Sequence, residues 1–315
     1  MTADLPYVKV VDDRRGRIRR WLVLIMLRAA SKRMRVDVPD LAALREDQAR
    51  LDLRLGGDLG GATLTEAHGI GADWLATKSS REDRTILYLH GGAFMFRYPR
   101  THAAMVAPWC EALGARALMV DYRLAPESPF PAAPDDCHAA YRWLLDHGFD
   151  PASIVIAGDS AGANLALATL HSIRRAREPM PACAVLISPV VDMTMSGATF
   201  VTHAERDPVF SLPQLIAFRN HYLQPEQMLD PRASPLFESF RDLPPLLFQG
   251  GSEEVLLDDS LRAAARAHFD GVDVELEIWR NMPHGFQAVR TLPQSAAAGE
   301  RIVDFVARRT QWSNT

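Results

Sequence analysis

Short apolar runs that alternate with segments of helical period constrain this chain most. Ile86–Leu89, Ala117–Val120, Ile154–Ala157, Ala184–Ile187, Leu246–Phe248 and Val274–Trp279 are each followed by a turn or a helical pattern. Strands this short, with no polar residue at every second position, are buried on both faces. Alternating them with helices, here near 103–113, 135–145, 161–175, 258–268 and 295–309, gives a mostly parallel sheet covered on both sides. The first part of the chain differs. Leu51–Leu55 alternates with period two, and residues 62–67 and 70–75 read as a hairpin around His68-Gly69. They predict an antiparallel start at one sheet edge. The proline-rich stretch 196–240 breaks the rhythm and reads as an insertion above the sheet.

The 315 residues suffice for one large α/β domain, and 48% hydrophobic with 23% charged residues excludes disorder. A net charge of −4 argues against nucleic acid as a partner. Three scattered cysteines, Cys110, Cys137 and Cys183, form no disulfide framework or zinc pattern, so reduced thiols and a cytoplasmic location are expected. Arg14, Arg15, Arg17, Arg19 and Arg20 before the apolar run Trp21–Leu27 imitate a signal peptide. The run is only seven residues, Arg28 ends it, and no small-x-small cleavage site follows. It reads as an amphipathic helix packed on the protein, with a peripheral membrane contact as the alternative. No stretch approaches the ~20 apolar residues of a bilayer span.

Gly158-Asp159-Ser160-Ala161-Gly162 lies between a strand and a helix, the context that gives G-x-S-x-G its meaning. A tight turn there presents the serine oxygen above the sheet, at the positive end of a helix. His90-Gly91-Gly92-Ala93-Phe94 follows the strand at 86–89, where two glycines let backbone N–H groups face a carbonyl oxygen. His90 reads as a brace for that loop, not as a base. Of ten histidines, His284 stands in a loop just after the last strand, at the same sheet edge as the serine. The acid is sought after the preceding strand, where Glu254 and Asp258 are the candidates. The chain order serine, acid, histidine is that of α/β-hydrolases.

These residues together resemble the hormone-sensitive-lipase-like group, the bacterial family IV esterases. The resemblance rests on HGGAF at 90–94, DYRLAPE at 121–127 with Phe130-Pro131 and Asp135, GDSAG at 158–162, SPVVD at 188–192 and MPHGF at 282–286. It implies an α/β-hydrolase fold: a mostly parallel eight-stranded sheet, helices on both faces and a helical cap. The cap would comprise residues 1–45 and the insertion at about 196–225, on a catalytic domain of 46–315. The resemblance makes Ser160 the nucleophile, His284 the base and Glu254 the acid, although the family usually has aspartate there. It makes the N–H groups of Gly91, Gly92 and Ala161 the oxyanion hole. Trp21 and Phe210 of the cap, with Phe94, would line the substrate pocket. The implied activity is serine carboxylesterase, on small-molecule esters of short to medium acyl chains, with no cofactor and no metal. Lactone or amide hydrolysis and longer-chain lipase action use the same machinery. A ligand-binding protein on this fold is the remote alternative, disfavoured by the presence of His284. A homodimer through the last strand, 274–279, follows by analogy only.

Overall fold

The computed structural model describes residues 5–31, 41–57, 59, 61–69, 71–310 and 312. Their centre is a nine-stranded sheet: β1 (Val8–Val11), β2 (Thr63–Glu66), β3 (Ala72–Ala76), β4 (Thr85–Leu89), β5 (Arg116–Val120), β6 (Ile154–Asp159), β7 (Cys183–Ile187), β8 (Leu246–Gly251) and β9 (Val274–Trp279). The spatial order is β1-β9-β8-β7-β6-β4-β5-β3-β2. β3 runs antiparallel to both of its neighbours, β2 and β5, at one edge, and every other pair is parallel. The helices are α1 (Arg17–Ser31), α2 (Leu41–Gly56), α3 (Pro99–Leu113), α4 (Ala132–Asp146), α5 (Ala161–Ala176), α6 (Thr199–Thr202), α7 (Leu212–Tyr222), α8 (Leu257–Phe269) and α9 (Pro293–Thr310).

The central strands are apolar throughout because each face meets its own core. Leu87, Leu89, Ile156 and Leu186 point into a core shared with α4, α5 and α8. Their neighbours Ile86, Tyr88, Val155 and Val185 point into a second core with α3 and α9. Every second residue of a strand changes face, so both sets must be apolar.

Two expectations need correction. The sheet has nine strands, not eight, because Val8–Val11 pairs in parallel with β9, the strand at 274–279. Residues 51–55 are not a strand: they are the last turns of α2. Asp52 there is 3% exposed and accepts from the N–H groups of Arg100 (3.0 Å) and Thr101 (2.8 Å). It supplies the acceptor that the N-terminus of α3 lacks, since the Tyr98 side chain at the cap position does not cap the helix and instead donates its hydroxyl to Gln48 Oε1 at 2.9 Å. Two helices thus lock together through a residue that period-two reading turns outward.

Candidate active site

The site begins at the β6–α5 junction. Ser160 has φ +54° and ψ −117°, a strained region for a residue with a side chain. The surrounding backbone holds it there. The Ser160 N–H donates to the Ile187 carbonyl at 2.7 Å. A Cβ on Gly162 would overlap the Leu89 carbonyl, and one on Gly158 would overlap that of Gly162. Only glycine at both flanks lets α5 start this close to β4. Ser160 is thereby set at the N-terminal end of α5, with Phe94 and Phe210 lining the same cleft.

The loop after β4 turns through three residues of positive φ: Gly92 (+127°), Ala93 (+53°) and Phe94 (+61°). The Gly92 carbonyl closes the turn by accepting from Met95 (3.0 Å) and Phe96 (2.9 Å). The Gly91 N–H donates to Asp159 Oδ1 at 2.8 Å and is therefore already engaged. Among the described residues, the N–H groups of Gly92, Ala93 and Ala161 have no hydrogen-bond partner. Asp159 Oδ1 also accepts from the Tyr88 hydroxyl at 2.6 Å and lies 3.3 Å from His102 Nε2. Burial raises this carboxyl's pKa, but His102, Tyr88 and the Gly91 N–H outweigh it and hold the group well below the usual range. Sequence reading did not find this anchor, although Asp159 sits inside the serine motif. His90 bonds the Gly91 carbonyl through Nδ1 at 2.8 Å and stacks on Tyr122 with centroids 4.2 Å apart. Burial, first of all, brings its pKa down to about 3, so it stays neutral and braces the loop.

His284 Nδ1 meets Glu254 Oε2 at 2.8 Å. Glu254 is fully buried, and its other oxygen accepts from the Ser188 hydroxyl (3.1 Å) and the Gly251 N–H. Asp258 lies one turn on, where it accepts from the Thr199 N–H at 3.1 Å instead. Burial lowers the His284 pKa, but the Glu254 hydrogen bond and the charges of Glu254, Asp207 and Asp159 outweigh it, and the net shift is upward. Asp207, also missed by sequence reading, accepts from Val209 (2.7 Å) and Phe210 (3.0 Å) and from Val255 beside Glu254 (2.8 Å). It ties the segment before α7 to the loop that carries Glu254 and sets Phe210 edge-on to His284, with ring centroids 4.9 Å apart.

The cleft at Ser160 is lined by Phe94, Phe210, Phe218, Leu215, Met193 and Met195 among others. Arg219 is the charged member of the lining, and its Nη1 is held by the Met193 carbonyl at 3.1 Å. Trp21 is not part of this lining; it is 60% exposed on α1. Among the described residues there is no cluster of three or more His, Cys, Asp or Glu that would hold a metal ion.

An alpha/beta hydrolase fold model matches residues 86–288. A solved esterase of the bacterial hormone-sensitive lipase family superimposes with a TM-score of 0.84 at 39% identity, over 92% of this chain and 98% of that one. The chain belongs to the hormone-sensitive-lipase-like family of α/β-hydrolases. Other family resemblances agree. An esterase/lipase from an uncultured bacterium gives a TM-score of 0.86 at 39% identity, covering 93% of this chain and 98% of that one. An acetyl-hydrolase of Streptomyces hygroscopicus is 42% identical over 68% of this chain and 71% of its own length. An esterase of Acinetobacter venetianus is 38% identical over 70% and 73%.

Proposed function

We propose that this protein, a serine hydrolase of carboxylic esters, works through Ser160, His284 and Glu254 on esters of short to medium acyl chains. The observation that carries the reading is the bond between His284 Nδ1 and a buried Glu254 carboxylate. A neutral imidazole that donates from Nδ1 keeps its lone pair on Nε2, the form a general base needs. His284 takes the Ser160 hydroxyl proton as the oxygen attacks the ester carbonyl carbon. The tetrahedral intermediate collapses, the alcohol leaves with that proton, and an acyl-serine remains. Water then attacks it, again giving its proton to His284, and the acid is released. Glu254 orients the ring and stabilises its charged form.

For the oxyanion we assign the N–H groups of Gly92, Ala93 and Ala161. Ala93 replaces Gly91 from the sequence-based set, because the Gly91 N–H already serves Asp159. Preorganised donors of this kind contribute roughly 2.7–4 kcal/mol each to transition-state binding. The aromatic and thioether lining of the cleft supports a compact acyl group. The three cysteines are unpaired and buried, which supports a compartment that keeps thiols reduced, such as the cytoplasm.

The test compares p-nitrophenyl butyrate with p-nitrophenyl palmitate on wild type and on Ser160→Ala. Serine-dependent turnover that favours butyrate is expected. A fully active Ser160→Ala protein overturns the assignment, and a preference for palmitate overturns the chain-length reading.

A further inference from the structure

Helix α1 is apolar on two sides, and only one of them is covered. Val23 and Leu27 pack against Trp279, Met282 and Phe286. Ile18, Trp21, Leu22, Ile25 and Met26 are 77%, 60%, 49%, 44% and 65% exposed. At ~100° per residue these five fall within one arc of about 140°, facing away from Leu27. They form a continuous patch, and contiguous exposed apolar surface marks an interaction site.

Charge identifies the occupant. α1 contains Arg17, Arg19, Arg20 and Arg28 and no acidic residue. Arg19 and Arg28 donate to the carbonyls of Thr291 (2.7 Å) and Arg206 (3.1 Å), and neither pairs with a carboxylate among the described residues. By helical angle, Arg17 and Arg28 flank one border of the apolar arc and Arg19 the other. A second copy offering the same face would bring arginine against arginine. A negatively charged lipid surface accepts both features, the apolar face among its acyl chains and the arginines at its headgroups.

The patch also adjoins the reaction site. Met282 and Phe286, on which α1 rests, flank His284 in sequence. Arg28 holds the carbonyl of Arg206, next to the Asp207 that positions Phe210. We infer that α1 docks the protein on an anionic lipid surface and so presents the Ser160 cleft to esters carried in that surface. The second half of this inference rests on the esterase reading above.

The experiment is co-sedimentation of the full chain with phosphatidylcholine vesicles, with and without about one-third phosphatidylglycerol. Wild type is compared with the double variant Ile18→Glu, Met26→Glu. Wild type is expected to bind the anionic vesicles roughly tenfold more tightly than the neutral ones, with the difference largely lost at high salt. The double variant should lose binding roughly tenfold or more while hydrolysing p-nitrophenyl butyrate in vesicle-free buffer at the wild-type rate. Absence of wild-type binding overturns the inference, as does unchanged binding of the variant. A wild-type dimer in light scattering that the same substitutions dissolve also overturns it and assigns the face to a second copy. Wild type that binds vesicles but fails to hydrolyse the butyrate ester leaves the docking standing and removes the esterase reading.

Discussion

The protonation state of His284 links site geometry to a measurable pH profile. Burial opposes its charged form, yet Glu254 and the nearby carboxylates carry the pKa above the ordinary value. As the proposed base, His284 must be neutral to act, so the acid limb of kcat/KM should inflect above about pH 6.5. Glu254→Gln removes the main upward influences and leaves burial. The inflection should then move to lower pH while the rate falls roughly 10³- to 10⁴-fold. Asp258→Asn tests the other carboxylate. It should leave kcat/KM within about twofold and cost no more than about 1 kcal/mol from the first turn of α8, measured by denaturant unfolding. Gly162→Ala should destabilise by about 1–3 kcal/mol, or prevent folding, because its Cβ meets backbone that cannot swing away. The positions of Ser160 and His284 were legible because motif and chain order specify which strand ends they occupy. The direction of the Gly91 N–H was not. It depends on Asp159, whose carboxylate is aimed by Tyr88 and His102 from two other elements.

At the level of elements, the central strands were legible because burial on both faces leaves no room for polar alternation. α2 was misread for an instructive reason. Leu51-Asp52-Leu53-Arg54-Leu55 alternates perfectly, but Asp52 is a buried acceptor for another helix. A tertiary role can thus counterfeit a local period. Asp52→Ala should cost about 1–2 kcal/mol in thermal or denaturant unfolding, because two N–H groups at the start of α3 lose their acceptor. β1 escaped notice because four residues, Val-Lys-Val-Val, inside a charged segment carry no pattern of their own. Its identity comes from the partner, since Val8 to Val11 take their register from Leu276 to Trp279.

For the whole molecule, β1 and α1 bring the first part of the chain to the side where the chain ends. β1 covers the outer edge of β9, and Gln294 at the start of α9 donates to the carbonyls of Asp13 (3.0 Å) and Arg15 (2.7 Å) between β1 and α1. Removing residues 1–15 should expose the unpaired edge of β9 and make the protein associate at lower concentration than the full chain, as read by light scattering. Among the described residues no helix is long and apolar enough to cross a membrane.

The pairing of β1 with β9 also sets an order of events in time. Strands from opposite ends of a chain bring the longest loop to closure, and such contacts form late in folding. During synthesis, Val8–Val11 must wait for Val274–Trp279, which emerges only shortly before His284 itself. A chain cut short by the ribosome before β9 would therefore lack its edge pairing and the base proposed for it, His284, together. Activity and sheet completion should return as one event on refolding, after the central strands have already acquired protection from hydrogen exchange.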